Sequence, residues 1–127
     1  MGKGEQLLHV DDDPAVTLSI QRLLKKLGYN AVSFNCPRAA LDHFHTEPHC
    51  FRLVLTDLMM PGMNGLQFAA AVTAVRPGLP VVLFSAFADN CSEAEMRQSG
   101  ICEVLLKPAG LLPIAEAIRR VLDSHTQ

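Results

Sequence analysis

Four short, largely apolar runs recur along the chain, and each is followed by polar or turn-forming residues. They occupy residues 7–10, 53–56, 81–84 and 104–106. Runs of this length, bounded by turn residues, are typical of strands that are buried on both faces of a parallel sheet. A fifth segment, residues 31–34, alternates between apolar and polar positions and predicts a strand at the edge of that sheet.

The segment between the run at residues 7–10 and the edge strand at residues 31–34 has the periodicity of a helix. From Val16 to Leu27, apolar residues recur every three or four positions, which indicates one core-facing stripe. Asp13 and Pro14 supply an N-cap and a proline at the first helical position, and Gly28 ends the helix.

Four further helices are predicted from capping residues and apolar stripes. A proline begins the second, an asparagine caps the third, a capping box starts the short fourth, and an apolar stripe marks the fifth. In that order, the signals are Pro37, Asn64, the pair Ser92 and Glu95, and the stripe that starts at Leu111. Because the fourth helix has few apolar positions, we expect it to pack loosely on the sheet.

This alternation of strands and helices predicts an α/β fold with a parallel sheet, right-handed crossovers and helices on both faces. A chain of 127 residues has room for one domain with a real core and too few residues for two. We therefore expect a single domain over residues 1–127, with a core from about 6 to 123.

Composition argues against several classes of function. Hydrophobic residues make up 49% of the chain, which argues against a disordered protein. The net charge is -2 and there is no dense basic stretch, which argues against a nucleic-acid-binding protein. No apolar run approaches the roughly 20 residues that span a bilayer, and the N-terminus lacks a secretory signal. The four cysteines form no CxxC pair, so we expect reduced thiols in a cytoplasmic protein.

Side chains that suit phosphoryl chemistry follow the four buried runs. Asp11 and Asp12 follow the first run, Asp57 the second, Ser85 the third and Lys107 the fourth. Ligands of open parallel sheets bind beyond this edge. Two carboxylates about 4 Å apart repel by about 4 kcal/mol at a protein-surface dielectric, so three acids here favour a bound cation. Carboxylates suit Mg²⁺, and Asp57 could be a metal ligand or a nucleophile that forms an aspartyl phosphate.

Four motifs together resemble the response-regulator receiver domain of two-component signalling. They are VDDDP at residues 10–14, LTDLMMPGMNG at 55–65, FSA at 84–86 and LKP at 106–108. The resemblance runs from residue 7 to about 122 and implies a flavodoxin-like, three-layer α/β/α sandwich with five parallel strands in the order 2-1-3-4-5. We expect no output domain within this chain.

The resemblance also implies a function. Asp57 would be the phosphoacceptor, taking a phosphoryl group from the phosphohistidine of a histidine kinase or a histidine phosphotransfer domain. The cofactor would be Mg²⁺, with Mn²⁺ as an alternative ion. Its ligands would be Asp12 directly, Asp11 mainly through water, Asp57, and the backbone carbonyl of Met59.

The remaining site residues and the partner surfaces follow from the same resemblance. Ser85 would hydrogen-bond the phosphoryl group and Lys107 would pair with its charge. Such a domain is a signalling phosphoacceptor rather than an enzyme, and catalyses only its own phosphorylation and slow dephosphorylation. The donor would contact the first helix and the loops around the acids, while an effector would read the face of the fourth helix, fifth strand and fifth helix.

One side chain departs from the family's usual residue, and two others lie where side chains influence the access of hydrolytic water to the phosphoryl group. Val104 stands three residues before the lysine, where receivers commonly carry a tyrosine or phenylalanine that reports phosphorylation. Met59 and Phe87 lie two residues beyond Asp57 and Ser85. Because both are bulky and apolar, we expect them to hinder hydrolytic water and to give the aspartyl phosphate a half-life nearer hours than seconds.

The sequence leaves the parent protein open. The flanking segments resemble the C-terminal receivers of hybrid sensor kinases, in which case the full-length protein would be a histidine kinase. A free-standing single-domain regulator is the alternative.

Other functions fit the residues less well. A zinc site at residues 43–50 is disfavoured because His43 and His45 diverge on a helix, and His9 is expected to be a packing residue. A phosphatase of the haloacid-dehalogenase type needs an acid where this chain has Met59. An FMN binder would need a Ser/Thr/Gly-rich phosphate loop after the first strand. A receiver that only docks is disfavoured because the acids, the hydroxyl and the lysine are all present.

Overall fold

A computed structural model of the chain describes residues 4–86, 92–107 and 110–124. Five strands alternate with five helices along it. In chain order these elements are β1 (Gln6–Val10), α1 (Pro14–Lys26), β2 (Asn30–Phe34), α2 (Pro37–Thr46), β3 (Leu53–Thr56), α3 (Gly65–Val75), β4 (Val81–Ser85), α4 (Glu93–Gln98), β5 (Ile101–Leu106) and α5 (Leu111–Ser124). The predicted succession of elements is confirmed.

The strands form one parallel sheet in the order β2-β1-β3-β4-β5, so the predicted flavodoxin-like topology is confirmed. Successive residues of a strand point to opposite faces, which divides the apolar side chains between two layers. Leu8, Val10 and Val54 pack with α2 and α3, whereas Leu7 and Leu55 pack with α1 and α5. The central strands β1, β3 and β4 are almost entirely buried, as predicted.

The edge strand β5 differs from the prediction. It begins at Ile101, three residues before the apolar run that marked it, and its Cys102 and Leu106 are exposed. The apolar pattern is interrupted because an edge strand has one neighbour, and α4 covers it only in part: no residue of that helix is buried. The loose packing predicted for α4 is confirmed.

Helix ends follow the predicted capping signals. Asp13 Oδ1 accepts a hydrogen bond from the backbone N–H of Ala15 at 2.9 Å, and Gly28 after the helix has a φ of +91°. Asn64 and Ser92 each form a complete capping box at the start of α3 and α4. Within the described residues, no helix has the length and apolar character needed to cross a membrane.

Candidate functional site: an acidic cluster at the carboxyl edge of the sheet

Strand register brings the predicted site residues to one edge. Val10, the last residue of β1, is paired with Thr56 of β3, so the acids that follow both strands are neighbours. The Asp57 N–H donates to the Val10 carbonyl at 2.9 Å and the Lys107 N–H donates to the Ser85 carbonyl at 3.2 Å. These hydrogen bonds extend the sheet by one residue and fix the backbone positions of Asp57 and Lys107.

Asp11, Asp12 and Asp57 form a cluster that could hold a metal ion. One carboxylate oxygen from each lies within 4.8 Å of the other two. Asp11 and Asp57 are buried, whereas Asp12 is exposed, so the cluster has two fixed acids and one that faces solvent. This donor set of hard oxygens fits Mg²⁺. Asp13, by contrast, caps α1, as its sequence position predicted.

The ammonium of Lys107 lies between two of the acids. Its Nζ is 2.5 Å from Asp11 Oδ2 and 3.6 Å from Asp57 Oδ1, and it lies 5.4 Å from the centroid of the Phe84 ring. The second oxygen of Asp11 accepts from the Asp13 N–H at 3.0 Å. Both oxygens of the Asp11 carboxylate, which is only 1% exposed, therefore have hydrogen-bonding partners within the protein.

Asp57 is held by the groups around it. Its Oδ1 accepts from the Leu58 N–H at 2.8 Å, and the buried Ser85 hydroxyl also hydrogen-bonds its carboxylate. Burial raises the pKa of Asp57 above its usual range; Lys107 opposes this, while the charge of Asp11 adds to it. Because the folded state favours the protonated form, ionising Asp57 costs stability as pH rises from its ordinary pKa to its raised one. A cation at the cluster would offset that cost.

The loop after β3 leaves Met59 on its outer side. Leu58 and Met60 are buried, whereas the Met59 side chain is 51% exposed. The loop closes against α3, where Gly65 donates its N–H to the Leu58 carbonyl at 2.8 Å. A Cβ at Gly65 would lie 2.3 Å from the Asp57 carbonyl oxygen, so only glycine permits this approach. The Met59 carbonyl stays a predicted metal ligand, and Phe87 lies outside the described residues.

Val104 faces the layer of α4. It is partly buried and, with Met96 and Ile101, lines a groove between α4 and β5. Val104 thus occupies the position at which receiver domains commonly carry a tyrosine or phenylalanine.

Two residues near the site were not predicted to bear on it. Thr56 is buried, and its hydroxyl donates to the Asp57 carbonyl at 2.9 Å; its only sequence signal was a hydroxyl at the end of an apolar strand. His9 is buried in β1, as predicted for a packing residue, with Nδ1 3.4 Å from Ser33 Oγ. Burial lowers the pKa of His9 to about 4, with Asp11 opposing and Lys107 reinforcing the shift.

A zinc site at residues 43–50 finds no support. The His43 ring lies 5.4 Å from the Phe34 ring and 5.8 Å from the Phe51 ring, in an aromatic cluster that explains its position by packing. Across residues 4–86, 92–107 and 110–124, the aspartate cluster is the one group of three or more potential metal ligands that lie close enough together.

Comparisons with known proteins agree with this geometry. The sequence model of the response regulator receiver domain matches residues 7–119. The sensor histidine kinase GacS of Pseudomonas protegens is 36% identical over 91% of this chain, which spans only 13% of that kinase. The receiver protein CpdR of Brucella abortus is 28% identical over 93% of this chain and 97% of its own.

Solved structures show the same fold. A receiver domain protein from Clostridium thermocellum superposes with a TM-score of 0.87 at 21% identity, covering 94% of both chains. The match of the family model to almost the whole sheet and its helices, together with the similarity to GacS, decides the assignment. The chain belongs to the response regulator receiver domain family of two-component signalling.

Proposed function

We propose that this receiver takes a phosphoryl group onto Asp57 from a phosphohistidine of a histidine kinase or histidine phosphotransfer domain, with Mg²⁺ as cofactor. The observation that carries this proposal is the position of the Asp57 carboxylate. It is buried beside two further acids within 4.8 Å, with a lysine ammonium 3.6 Å away. Receiver domains bind Mg²⁺ at an acidic site of this kind.

The chain's own residues supply the nucleophile and much of the charge stabilisation. An Asp57 oxygen attacks phosphorus, the new O–P bond forms, and the P–N bond to the partner's imidazole breaks, so that the imidazole leaves with its electron pair. Ser85 donates a hydrogen bond to the transferred group and Lys107 offsets its negative charge. Asp11, Asp12, Asp57 and the Met59 carbonyl would hold Mg²⁺, which supplies charge neutralisation between the acids and the phosphoryl oxygens.

We infer that the domain catalyses only its own phosphorylation and a slow dephosphorylation. The Met59 side chain, half exposed beside the phosphoacceptor, offers no hydrogen bond to an attacking water. Hydrolysis needs a positioned water, so an apolar neighbour slows it. The proposed location is the cytoplasm, which suits the free thiols of Cys36, Cys50 and Cys102.

The partner surfaces follow from exposure and charge. On α1, Leu18 is 49% exposed and lies one turn from exposed Arg22, with Lys26 one turn further on, so we propose that the phosphohistidine partner docks there through apolar and acidic groups. On the opposite side of the site, the groove between α4 and β5 is the proposed effector surface. Its rim carries Glu103, which Arg120 of α5 binds through two hydrogen bonds of 3.1 Å.

The proposed chemistry is tested with Mg²⁺ and beryllofluoride, which mimics a bound phosphoryl group. We expect the two together to raise the melting temperature of the unmodified chain, and Asp57→Asn to abolish that rise. Asp13→Asn is the matched control, since asparagine keeps the helix cap and Asp13 lies outside the cluster. Equal responses from the Asp57→Asn and unmodified chains, or no response from either, would favour a receiver that only docks.

A further inference from the structure

We propose that Thr56 is a positioning residue for phosphoryl transfer: its hydroxyl fixes the peptide unit between Asp57 and Leu58, and this unit in turn orients the Asp57 carboxylate. The inference rests on the proposed function, because it assigns a purpose to a group beside the proposed phosphoacceptor. Thr56 is fully buried, and its Oγ1 donates to the Asp57 carbonyl at 2.9 Å. A buried hydroxyl at the end of an apolar strand thus hydrogen-bonds the backbone carbonyl of the residue that follows it.

The bond lies where the sheet stops. Thr56 is the last residue of β3, and the Asp57 N–H still donates to Val10 of β1. Beyond that bond the chain turns away toward α3, so the Asp57 carbonyl points out of the ladder. A buried carbonyl without a donor costs about 1–3 kcal/mol, and the Thr56 hydroxyl supplies the donor without help from a neighbouring strand.

The same peptide unit also carries the donor that holds the carboxylate. Its carbonyl oxygen belongs to Asp57 and its N–H belongs to Leu58, and that N–H donates to Asp57 Oδ1 at 2.8 Å. A peptide unit is planar, so fixing the direction of its oxygen also fixes the direction of its N–H. The Thr56 hydroxyl therefore sets the position of Oδ1 through one rigid group.

Gly65 closes the remaining side of this unit. A Cβ there would lie 2.3 Å from the Asp57 oxygen and 3.0 Å from the Leu58 Cα, so the carbonyl already sits close to the backbone of α3. With the hydroxyl on one side and the helix on the other, the peptide has one orientation. Oδ1 then accepts from the Leu58 N–H and lies 3.6 Å from Lys107 Nζ, so the peptide unit sets the orientation of the carboxylate.

Replacing the hydroxyl without changing its shape tests this role. Thr56→Val removes the donor and keeps the branched side chain, and Thr56→Ser restores the donor. We expect Thr56→Val to slow phosphorylation by acetyl phosphate at saturating Mg²⁺ at least about tenfold, the scale of a slightly misplaced reacting group. Thr56→Ser should react close to the unmodified rate. Thr56→Ala takes the place of Thr56→Val if the latter does not fold.

Thr73→Val is the matched control. It makes the same chemical change in the last turns of α3, where the hydroxyl donates to the Ala69 carbonyl at 2.8 Å, far from the acids. We expect it to leave the phosphorylation rate unchanged. The proposal is wrong if Thr73→Val slows the reaction as much as Thr56→Val, if Thr56→Ser is as slow as Thr56→Val, or if Thr56→Val reacts at the unmodified rate.

A second readout separates this inference from the proposed function. In the unmodified chain, the NMR signal of the Leu58 amide proton should lie downfield at a fixed pH, because the Asp57 carboxylate accepts its hydrogen bond. Thr56→Val should move that signal upfield, whereas Thr73→Val should leave it in place. An unchanged Leu58 shift in Thr56→Val would overturn the positioning role even if phosphorylation succeeds. An unmodified chain that is never phosphorylated would overturn the proposed function alone.

Discussion

Lys107 pairs more closely with Asp11 than with Asp57: its Nζ lies 2.5 Å from Asp11 Oδ2 and 3.6 Å from Asp57 Oδ1. The ammonium thus supplies positive charge at the acidic cluster, as a divalent cation bound there would. Mg²⁺ at the proposed site would compete with Lys107 for Asp11, so we expect metal binding to free the lysine to turn toward Asp57, the proposed phosphoacceptor. Metal binding and the reorientation of Lys107 would then be coupled.

Removing this ammonium should destabilise the metal-free protein. In Lys107→Ala, the buried Asp11 carboxylate loses its cation, and we expect a loss of about 3 kcal/mol in the free energy of unfolding, measured with urea and EDTA. Mg²⁺ should recover most of that loss and bind more tightly than to the unmodified chain, because its competitor is gone. Phosphorylation should nevertheless be slower, since the transferred group has lost a counter-charge.

Arg120→Ala is the control for Lys107→Ala. It also breaks an ion pair, with Glu103, but that pair lies at the surface and contributes much less to stability. An equal loss in the two variants, or a Lys107→Ala chain as stable as the unmodified one without Mg²⁺, would contradict the role given to the buried pair.

The close approach of α3 to Asp57, the proposed phosphoacceptor, should make Gly65 intolerant of a side chain. A methyl group there meets the Asp57 carbonyl at 2.3 Å, and we expect Gly65→Ala to lower the free energy of unfolding by roughly 2 kcal/mol and to slow phosphorylation. Gly78→Ala, where a Cβ would meet nothing within 4 Å, should do neither. Urea denaturation and acetyl phosphate assays of both variants check this, and equal behaviour would rule out the packing argument.

His9 should make the fold sensitive to acid. Because burial lowers its pKa from 6.5 to about 4, the unfolded chain binds a proton that the folded chain does not, and stability falls as pH drops through that interval. The shift corresponds to about 3 kcal/mol. His9→Val should remove this component, so that the stability difference between pH 7 and pH 4.5 becomes smaller. His45→Val, at an exposed position, is the control and should keep the difference that the unmodified chain shows.

Met59 should set the lifetime of the aspartyl phosphate. Asparagine at this position can hydrogen-bond and position a water, so we expect Met59→Asn to shorten the half-life about tenfold. Val75→Asn makes a similar change at an exposed apolar position at the far end of α3 and should leave the half-life unaltered. Loss of label from purified phosphoprotein measures both. Rapid loss from the unmodified chain would show that Met59 does not hinder water.

Much of the fold could be predicted because its signals are local. The caps Asp13, Asn64 and Ser92 each bond to an N–H two or three residues along the chain, so a short sequence window contains both partners. The start of β5 could not be placed, because Ile101 and Glu103 pair with β4 across a register shift at Cys102, and this segment has no strand-like apolar pattern. Register with a neighbour, and not local pattern, decides where such an edge strand begins.

The sequence predicts which residues form the site, but not which acid pairs with the lysine. A parallel sheet brings all its strand ends to one edge, so Asp11, Asp57 and Lys107 could be expected together. Lys107 pairs with Asp11, which lies 96 positions away in the sequence. This pairing depends on the conformation of the lysine side chain, which the spacing of residues along the chain does not predict. The Thr56 hydrogen bond could not be predicted for a different reason: threonine is common in apolar strands because of its β-branched shape, so its presence there does not indicate a use for its hydroxyl.

The most direct test of the account is the identity of the phosphorylated residue. The unmodified chain is incubated with acetyl phosphate and Mg²⁺, trapped with borohydride, which reduces an aspartyl phosphate to homoserine, and mapped by mass spectrometry. We predict one modified residue, Asp57, with no modification in EDTA or in Asp57→Asn. Modification at another residue, or none at Asp57 when Mg²⁺ is present, would contradict the claim that this acidic edge is a phosphoacceptor site.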